Sequence, residues 1–260
     1  QTSQIVIIKL MAKIMSKFSS VCIFLLLSVS VKADVIITSP DTQVSLLELY
    51  TSEGCSSCPP ADKWISKLKS HPGLWRSLVP VGFHVDYWNY IGWVDRFSSP
   101  EYSARQRRYA RTKNLKTVYT PGFLLNGEEW RSSFGVITLS TETDKKVGPL
   151  SLKISNMELS AVFNPVEVLS DKTLILNVAV LGFDIKTDVK AGENHDKELK
   201  HDFTVLGYKS IPLYKDNSAY SVMTELPDIV ETAPRMAVSA WVNKENDMTP
   251  IQAAGGWLEN

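Results

Sequence analysis

Two cysteines three positions apart, Cys55-Ser56-Ser57-Cys58, stand between an apolar run and a pair of prolines. That placement limits the possible folds more than any other feature of the chain. Val44–Tyr50 reads as a short buried strand that ends in the turn Thr51-Ser52-Glu53-Gly54. Pro59 and Pro60 suit the first turn of a helix, with Trp64, Ile65 and Leu68 as one apolar stripe behind them. Leu78–Val85 reads as a second strand. Ser99 and Pro100 open a second helix, Ser99 as N-cap and Pro100 in the first turn. Its Arg105, Arg107, Arg108 and Arg111, with Lys113 beyond, read as a solvated face. Thr117–Leu125 is a strand interrupted by Pro121, and Asn126-Gly127 signals a hairpin into Glu128–Arg131. Strand, helix, strand, helix, hairpin is the order of an α/β layer.

Near residue 148 the pattern changes to period-2 runs without helical stripes: Leu152–Leu159, Thr173–Leu181, Leu199–Leu206 and Met236–Val242. Asn/Pro, Lys/Asp and Gly turns separate them, which predicts a small antiparallel β-sandwich. Glu142–Gly148 is the expected linker. The organisation expected from these patterns is an α/β domain over 34–147 and a β-sandwich-like domain over 148–260.

Residues 1–33 read differently. A short basic stretch from Met15 leads into Val21–Val31, an apolar core too short to span a bilayer, and ends in Val31-x-Ala33. This is the pattern of a secretory signal peptide cleaved before Asp34, with translation expected to start at Met11 or Met15. It carries four lysines and no acid, so the exported part would hold 24 basic against 28 acidic residues. Such a balance offers no electrostatic case for nucleic acid or for anionic lipid, and no stable membrane insertion is expected after cleavage. The compartment expected is the periplasm or the exterior.

Export leaves Cys55 and Cys58 as the cysteine pair in an oxidising environment. A disulfide closing so short a loop constrains the unfolded chain little, which favours chemistry over scaffolding. At the start of a helix, unpaired amides and the macrodipole would favour a Cys55 thiolate, with Cys58 one turn inside as the resolving thiol. Half a zinc site and an inert local disulfide are the alternatives. Zinc needs two more ligands at similar spacing, and the four histidines are scattered, so no metal is expected. His195 and His201, flanked by Glu193, Asp196 and Asp202, read as surface positions of a loop and strand.

Thr120-Pro121 before Gly122-Phe123-Leu124-Leu125 is an unusual place for proline, which is poorly tolerated inside a sheet. With the cysteine pair, this arrangement resembles the thioredoxin fold. The resemblance implies that Pro121 is cis and that Thr120 offers backbone groups to a substrate chain. It also makes Glu48, a lone carboxylate in a central strand, a candidate to relay a proton from Cys58; an exposed or amide-bonded glutamate is the alternative. The span between Cys55 and Pro121 leaves room for an insertion, His84–Asp95, whose Tyr87, Trp88, Tyr90 and Trp93 would line a peptide groove or else cover the core.

Longer stretches resemble a bacterial secreted family of unknown function with a thioredoxin-like core. They are Glu48–Asp62, His84–Trp88, Ser99–Arg107, Val118–Pro121, Gly192–His195, Leu199–Phe203 and Gln252–Leu258. The fold class expected is therefore an α/β thioredoxin-like domain followed by a small antiparallel β-sandwich. The function implied is thiol–disulfide exchange through a redox-active Cys55–Cys58 disulfide, with no other cofactor. Cys55, Cys58 and Glu48 would be catalytic, and Thr120, Pro121, Tyr87, Trp88 and Trp93 would contact substrate. Partners would be protein thiols, protein disulfides or a redox partner protein. The competing expectation is a non-catalytic binding protein whose disulfide is structural.

Overall fold

The computed structural model describes residues 33–112, 117–131, 139, 141, 143–170 and 173–258. The segment read as a signal peptide lies outside these residues, except for Ala33, as does Lys113. Residues 34–260 form one compact unit.

The first half is built on β2 (Ser45–Thr51) and β3 (Leu78–His84), which run parallel and are buried at every position. Two-sided burial explains their nearly continuous apolar sequence. Helix α1 (Pro59–Ser66), extended by a 3-10 turn over Lys67–Ser70, covers one face of β2, and α2 (Pro100–Thr112) covers the other. Ser99 caps α2 by accepting from the Glu101 amide at 3.2 Å. β4 (Gly122–Leu125) pairs antiparallel with β2 and turns into β5 (Glu128–Glu129) through Asn126 and Gly127 at φ 51° and 81°. Positive φ at both turn positions is what the Asn-Gly signal predicts.

The strands of the second half differ from the expected runs. Leu152–Leu159 is not one strand. β6 (Leu150–Ser155) and β7 (Glu158–Phe163) form a hairpin turning at Asn156 and Met157, both at positive φ. Leu199–Leu206 likewise divides into β10 (Glu198–His201) and the start of β11 (Thr204–Asp216). The other strands are β1 (Val35–Thr38), β8 (Thr173–Phe183), β9 (Ile185–Asp188), β12 (Ala219–Glu225), β13 (Arg235–Lys244) and β14 (Asp247–Trp257).

The expected fold class is overturned by how these strands pair. An α/β thioredoxin-like domain followed by a separate small sandwich would leave two sheets. Instead one mixed sheet of 12 strands runs β1-β6-β7-β12-β11-β3-β2-β4-β5, with β8, β13 and β14 branching from β11, and strands dominate the chain. The only other sheet among the described residues is the β9–β10 ribbon. The junction is Thr204 of β11 against Gly82 of β3, where the Gly82 amide donates to the Phe203 carbonyl at 2.7 Å. A Cβ at Gly82 would lie 3.2 Å from that same oxygen, so a side chain there would push the two strands apart by a few tenths of an ångström. Gln252, fully buried on β14, is a second tie. It accepts from the Val44 amide and donates to the carbonyls of Pro40, Thr42 and Gly148.

A third tie is a buried ion pair, and it corrects the reading of α2 as carrying only solvated arginines. Arg105 is 4% exposed; its Nε lies 2.8 Å from Glu48 Oε2 and its Nη2 3.1 Å from Oε1. Tyr50 and Tyr109 donate to the same carboxylate at 2.9 and 2.6 Å. Arg105 also donates to Tyr208, which donates to Asn177, while Tyr109 reaches the Met248 carbonyl. Removing one partner of such a pair strands the other in a low-dielectric interior. Arg105→Ala is therefore expected to lower the unfolding free energy by about 3–5 kcal/mol in urea melts. Arg108→Ala, on the exposed face of the same helix, should stay within about 0.5 kcal/mol of wild type.

Candidate functional site

The cysteine pair occupies consecutive turns between β2 and α1. The Cys55 amide donates to the Ser52 carbonyl and the Cys58 amide to the Cys55 carbonyl, both at 3.2 Å. Pro59 and Pro60, which have no amide to leave unsatisfied, start the helix. Cys58 is thus the N-cap, and Cys55 lies a turn before the helix rather than at its first residue. Gly54 lets the aromatic insertion approach this turn; a Cβ there would lie 3.0 Å from that of Trp88.

The two sulfurs are unbridged and both cysteines are nearly out of solvent, Cys55 at 1% and Cys58 at 0% exposure. Their environments pull them apart. A hydrogen bond from Cys58 stabilises the Cys55 thiolate against the opposing effect of burial. With Ser57, whose hydroxyl is 3.2 Å from the sulfur, it holds the Cys55 pKa at about 6. Burial pushes Cys58 well above the ordinary thiol range, and the bond to Cys55 and the charge of Asp62 add to that.

The Thr120-Pro121 peptide bond is cis, and the Thr120 carbonyl lies 3.9 Å from Cys55 Sγ. Trp88 donates its indole N–H to Thr120 Oγ1 at 2.7 Å, and Gln106 of α2 donates to the Tyr119 carbonyl at 2.7 Å while accepting from Tyr87 at 3.0 Å. Tyr87 and Trp88 thus brace the segment that faces the sulfur. Trp93 donates to Glu53 Oε2 at 2.7 Å. All three are half-buried, whereas Tyr90 and Val94 are 81% and 68% exposed. Glu48 belongs to the opposite face of β2, with both oxygens committed to Arg105 and two tyrosines.

Several polar residues at the site carry no periodic signal in the sequence. The loop between β9 and β10 straps the cysteine turn. Asn194, fully buried, donates to the Glu53 and Cys55 carbonyls at 2.8 and 2.9 Å, and Glu193 accepts from the Ser56 amide at 3.0 Å. Beneath the turn, His201 Nε2 meets Glu53 Oε1 at 3.1 Å and His84 Nδ1 meets Asp95 Oδ2 at 2.7 Å. The two imidazoles meet edge to face at 5.1 Å. His201 is therefore a buried hydrogen-bond partner of Glu53 and not the expected surface position; His195 is exposed beside Asp196. Asp62, 6% exposed, accepts from the Thr51 hydroxyl at 2.8 Å. These partners come from segments far apart in the chain, so only the family-like stretches that contain most of them marked the positions. Among the described residues, no group of three or more His, Cys, Asp or Glu is arranged to hold a metal ion.

A family model described as "Protein of unknown function (DUF1223)" matches residues 46–243, which span every residue of this site. The chain belongs to the DUF1223 family. A comparison with curated proteins finds no significant match. Among solved structures, protein AGR_C_4864 from Agrobacterium tumefaciens is 26% identical with a TM-score of 0.60, covering 85% of this chain and 96% of its own. HBP35 of Porphyromonas gingivalis is 16% identical with a TM-score of 0.59, covering 84% of this chain and 76% of its own, a likeness of fold alone. In this DUF1223 chain, no helix among the described residues is long and apolar enough to cross a membrane.

The buried histidine gives the DUF1223 site a pH signature. Burial alone would lower the His84 pKa, but the Asp95 carboxylate outweighs it and raises the value to about 9. A folded-state pKa above the unfolded value of about 6.5 contributes stability that is complete below about pH 6.5 and lost as pH climbs through 9. Cys55, at about 6 in the fold against about 8.5 unfolded, adds its own pH dependence over this window, so the clean measurement uses a Cys55→Ser, Cys58→Ser background. Its melting temperature is expected to fall between pH 6.5 and 9, by on the order of 3 kcal/mol in stability. A flat profile would exclude a protonated His84.

Proposed function

We propose that this DUF1223 protein carries out thiol–disulfide exchange at Cys55 and Cys58, on protein thiols or disulfides, in the periplasm or outside the cell. The observation that carries this reading is the opposed tuning of two adjacent thiols, Cys55 held at about 6 and Cys58 pushed well above the ordinary range. An inert pair needs no such division, whereas exchange needs one thiolate to attack and one thiol held back to resolve.

In the proposed reaction, the Cys55 thiolate attacks one sulfur of a partner disulfide. The partner's S–S bond breaks, a Cys55–partner bond forms, and the departing thiolate takes a proton. Cys58 then loses its proton and attacks Cys55 Sγ, so the mixed disulfide breaks and the second partner sulfur leaves to be protonated. The partner gains two electrons and two protons, and the protein is left with a Cys55–Cys58 disulfide. Thr120 and Pro121 lie against the attacking sulfur, and Tyr87, Trp88 and Trp93 are the proposed substrate-side wall, continued by the exposed Tyr90 and Val94. The N-terminal signal-like segment supports the compartment, and the chemistry does not depend on the fold class that the resemblance implied.

Two measurements on the reduced protein and its redox buffers test the reading. Thiolate absorbance should show one group titrating near pH 6 and lost in Cys55→Ser. Equilibration with glutathione or dithiothreitol should give a potential within roughly −120 to −270 mV, the range of exchange proteins. A potential below about −300 mV with a Cys55 pKa near 8.5 would assign the disulfide a structural role and the protein to the binding class.

A further inference from the structure

Cys55 is recessed, at 1% exposure, whereas Ser56, Ser57 and Glu193 beside it are exposed. A partner approaching the sulfur therefore meets this rim first. Glu193 belongs to the loop between β9 and β10, and its Oε2 accepts from the Ser56 amide at 3.0 Å, one residue past the attacking cysteine. Its neighbours in the chain are fixed. Asn194 is fully buried and donates to the Glu53 and Cys55 carbonyls. Gly192 sits at φ 73°, and a Cβ there would lie 3.2 Å from that of Trp93 in the aromatic insertion. Glu193 is thus a charge held against the cysteine turn, and it needs no ordering when a partner arrives. The bond from Ser56 keeps its carboxyl below the ordinary range, and Lys197 adds to that.

We propose that Glu193 is a specificity-determining residue for exchange at Cys55, favouring protein partners that carry lysine or arginine beside the target disulfide and disfavouring those that carry an acid there. This rests on the exchange reading above. For the Cys55 thiolate to attack, the partner sulfur must come into contact with Sγ, which brings the groups flanking that sulfur up to the rim. At a separation of about 8 Å, with an effective dielectric constant of about 30 to 60, one unit charge changes the rate of attack by roughly three- to tenfold.

Other charges near the rim are placed differently. Lys197 turns back onto the strap, its Nζ donating to Asn194 Oδ1 at 2.9 Å, and Asp196 faces His195. Arg107 lies 5.9 Å over the ring of Tyr87, on the wall rather than on the cysteine turn. Glu193 alone among these side chains bonds to the turn itself. Its two roles, a cap on the Ser56 amide and a charge facing the partner, are separable. Glutamine keeps a carbonyl oxygen that can accept from the same amide and removes only the charge.

The test gives the reduced protein cystamine, hydroxyethyl disulfide or dithiodipropionate, which are cationic, neutral and anionic. Each reagent is reduced to two thiols as the Cys55–Cys58 disulfide forms, and the rate is read as loss of free protein thiol in acid-quenched samples. Dividing each variant rate by the wild-type rate with the same reagent removes the reagents' intrinsic reactivities. The thiolate fraction of Cys55 is common to all three reagents and cancels between them. Glu193→Gln is expected to lower the cystamine rate relative to the dithiodipropionate rate by roughly three- to tenfold, with hydroxyethyl disulfide in between, and Glu193→Lys to lower it further. At about 0.5 M salt, where the Debye length is roughly 4 Å, these differences should shrink. Unchanged ratios in both variants would overturn the proposal. An equal change with all three reagents would assign Glu193 to the turn or to the Cys55 thiol and would also overturn it. If the wild type reacts with none of the reagents, the exchange function fails and the proposal with it, an outcome distinct from the others because it does not depend on reagent charge.

Discussion

A single backbone contact, the Gly82 amide on the Phe203 carbonyl, determines what kind of site this chain can build. It seats the start of β11 beside β3, and the ribbon of β9 and β10 immediately precedes β11. Once that contact forms, His201 arrives beneath Glu53 and Asn194 arrives over the cysteine turn. The first half alone contains both sulfurs but neither of those partners. The Glu53 carbonyl would then lose the Asn194 donor, at a cost of about 1–3 kcal/mol if it stayed buried, and the Cys55 carbonyl would keep only the Cys58 amide. The site is therefore a product of the fused sheet, and an arrangement of two independent domains would not hold it.

The division between the two buried thiols is made locally, by the cysteine turn and the strand and helix beside it. Moving Cys55 from about 8.5 to about 6 corresponds to roughly 3 kcal/mol in favour of the thiolate. Burial acts against this, so the opposing interactions must exceed it. A hydrogen bond to a charged group contributes about 1.5–3 kcal/mol, so the bonds from Cys58 and Ser57 are enough without a formal positive charge at the sulfur. Cys58 gains nothing equivalent. Its environment contains the Asp62 carboxylate, and its bond to Cys55 favours its neutral, donating form. The asymmetry thus arises from which thiol donates to the other.

Local chemistry was legible in the sequence wherever a few adjacent residues decide the structure. The Pro59-Pro60 helix start, the Ser99 cap and the Asn126-Gly127 turn are all as read, whereas the cysteines lie a turn earlier than read, with Cys58 as the N-cap and not one turn inside. Pairing was not legible. Alternation in Thr173–Leu181 shows that a strand has faces, but not that β8 would lie between β11 and β13. The hairpin at Asn156-Met157 was hidden because apolar residues continue the alternation on both sides of the turn. Arg105 was misread for a related reason. Five basic residues over one segment suggest a solvated face, and only the Glu48 carboxylate on a neighbouring strand makes one of them internal.

Strand geometry also decides which carboxylate can serve the cysteines. Successive side chains of a strand point to opposite faces, so Glu48 and Thr51, three positions apart, cannot share one. Thr51 meets Asp62 of α1, and Phe123, opposite Leu49 on β4, packs edge-on to Trp64 of the same helix. That face carries α1 and the resolving cysteine at its N-cap. Glu48 and Tyr50 project toward α2 instead, where Arg105 and Gln106 lie. An acid at position 48 could therefore reach the sulfurs only if the strand shifted by one residue, which would turn its whole apolar set to the wrong side. With β2 pinned by β3 and β4 on either edge, that shift is closed. Glu48 therefore serves α2 through Arg105, while the carboxylate of Asp62, on the helix that carries Cys58, is held by the hydroxyl at the end of the strand.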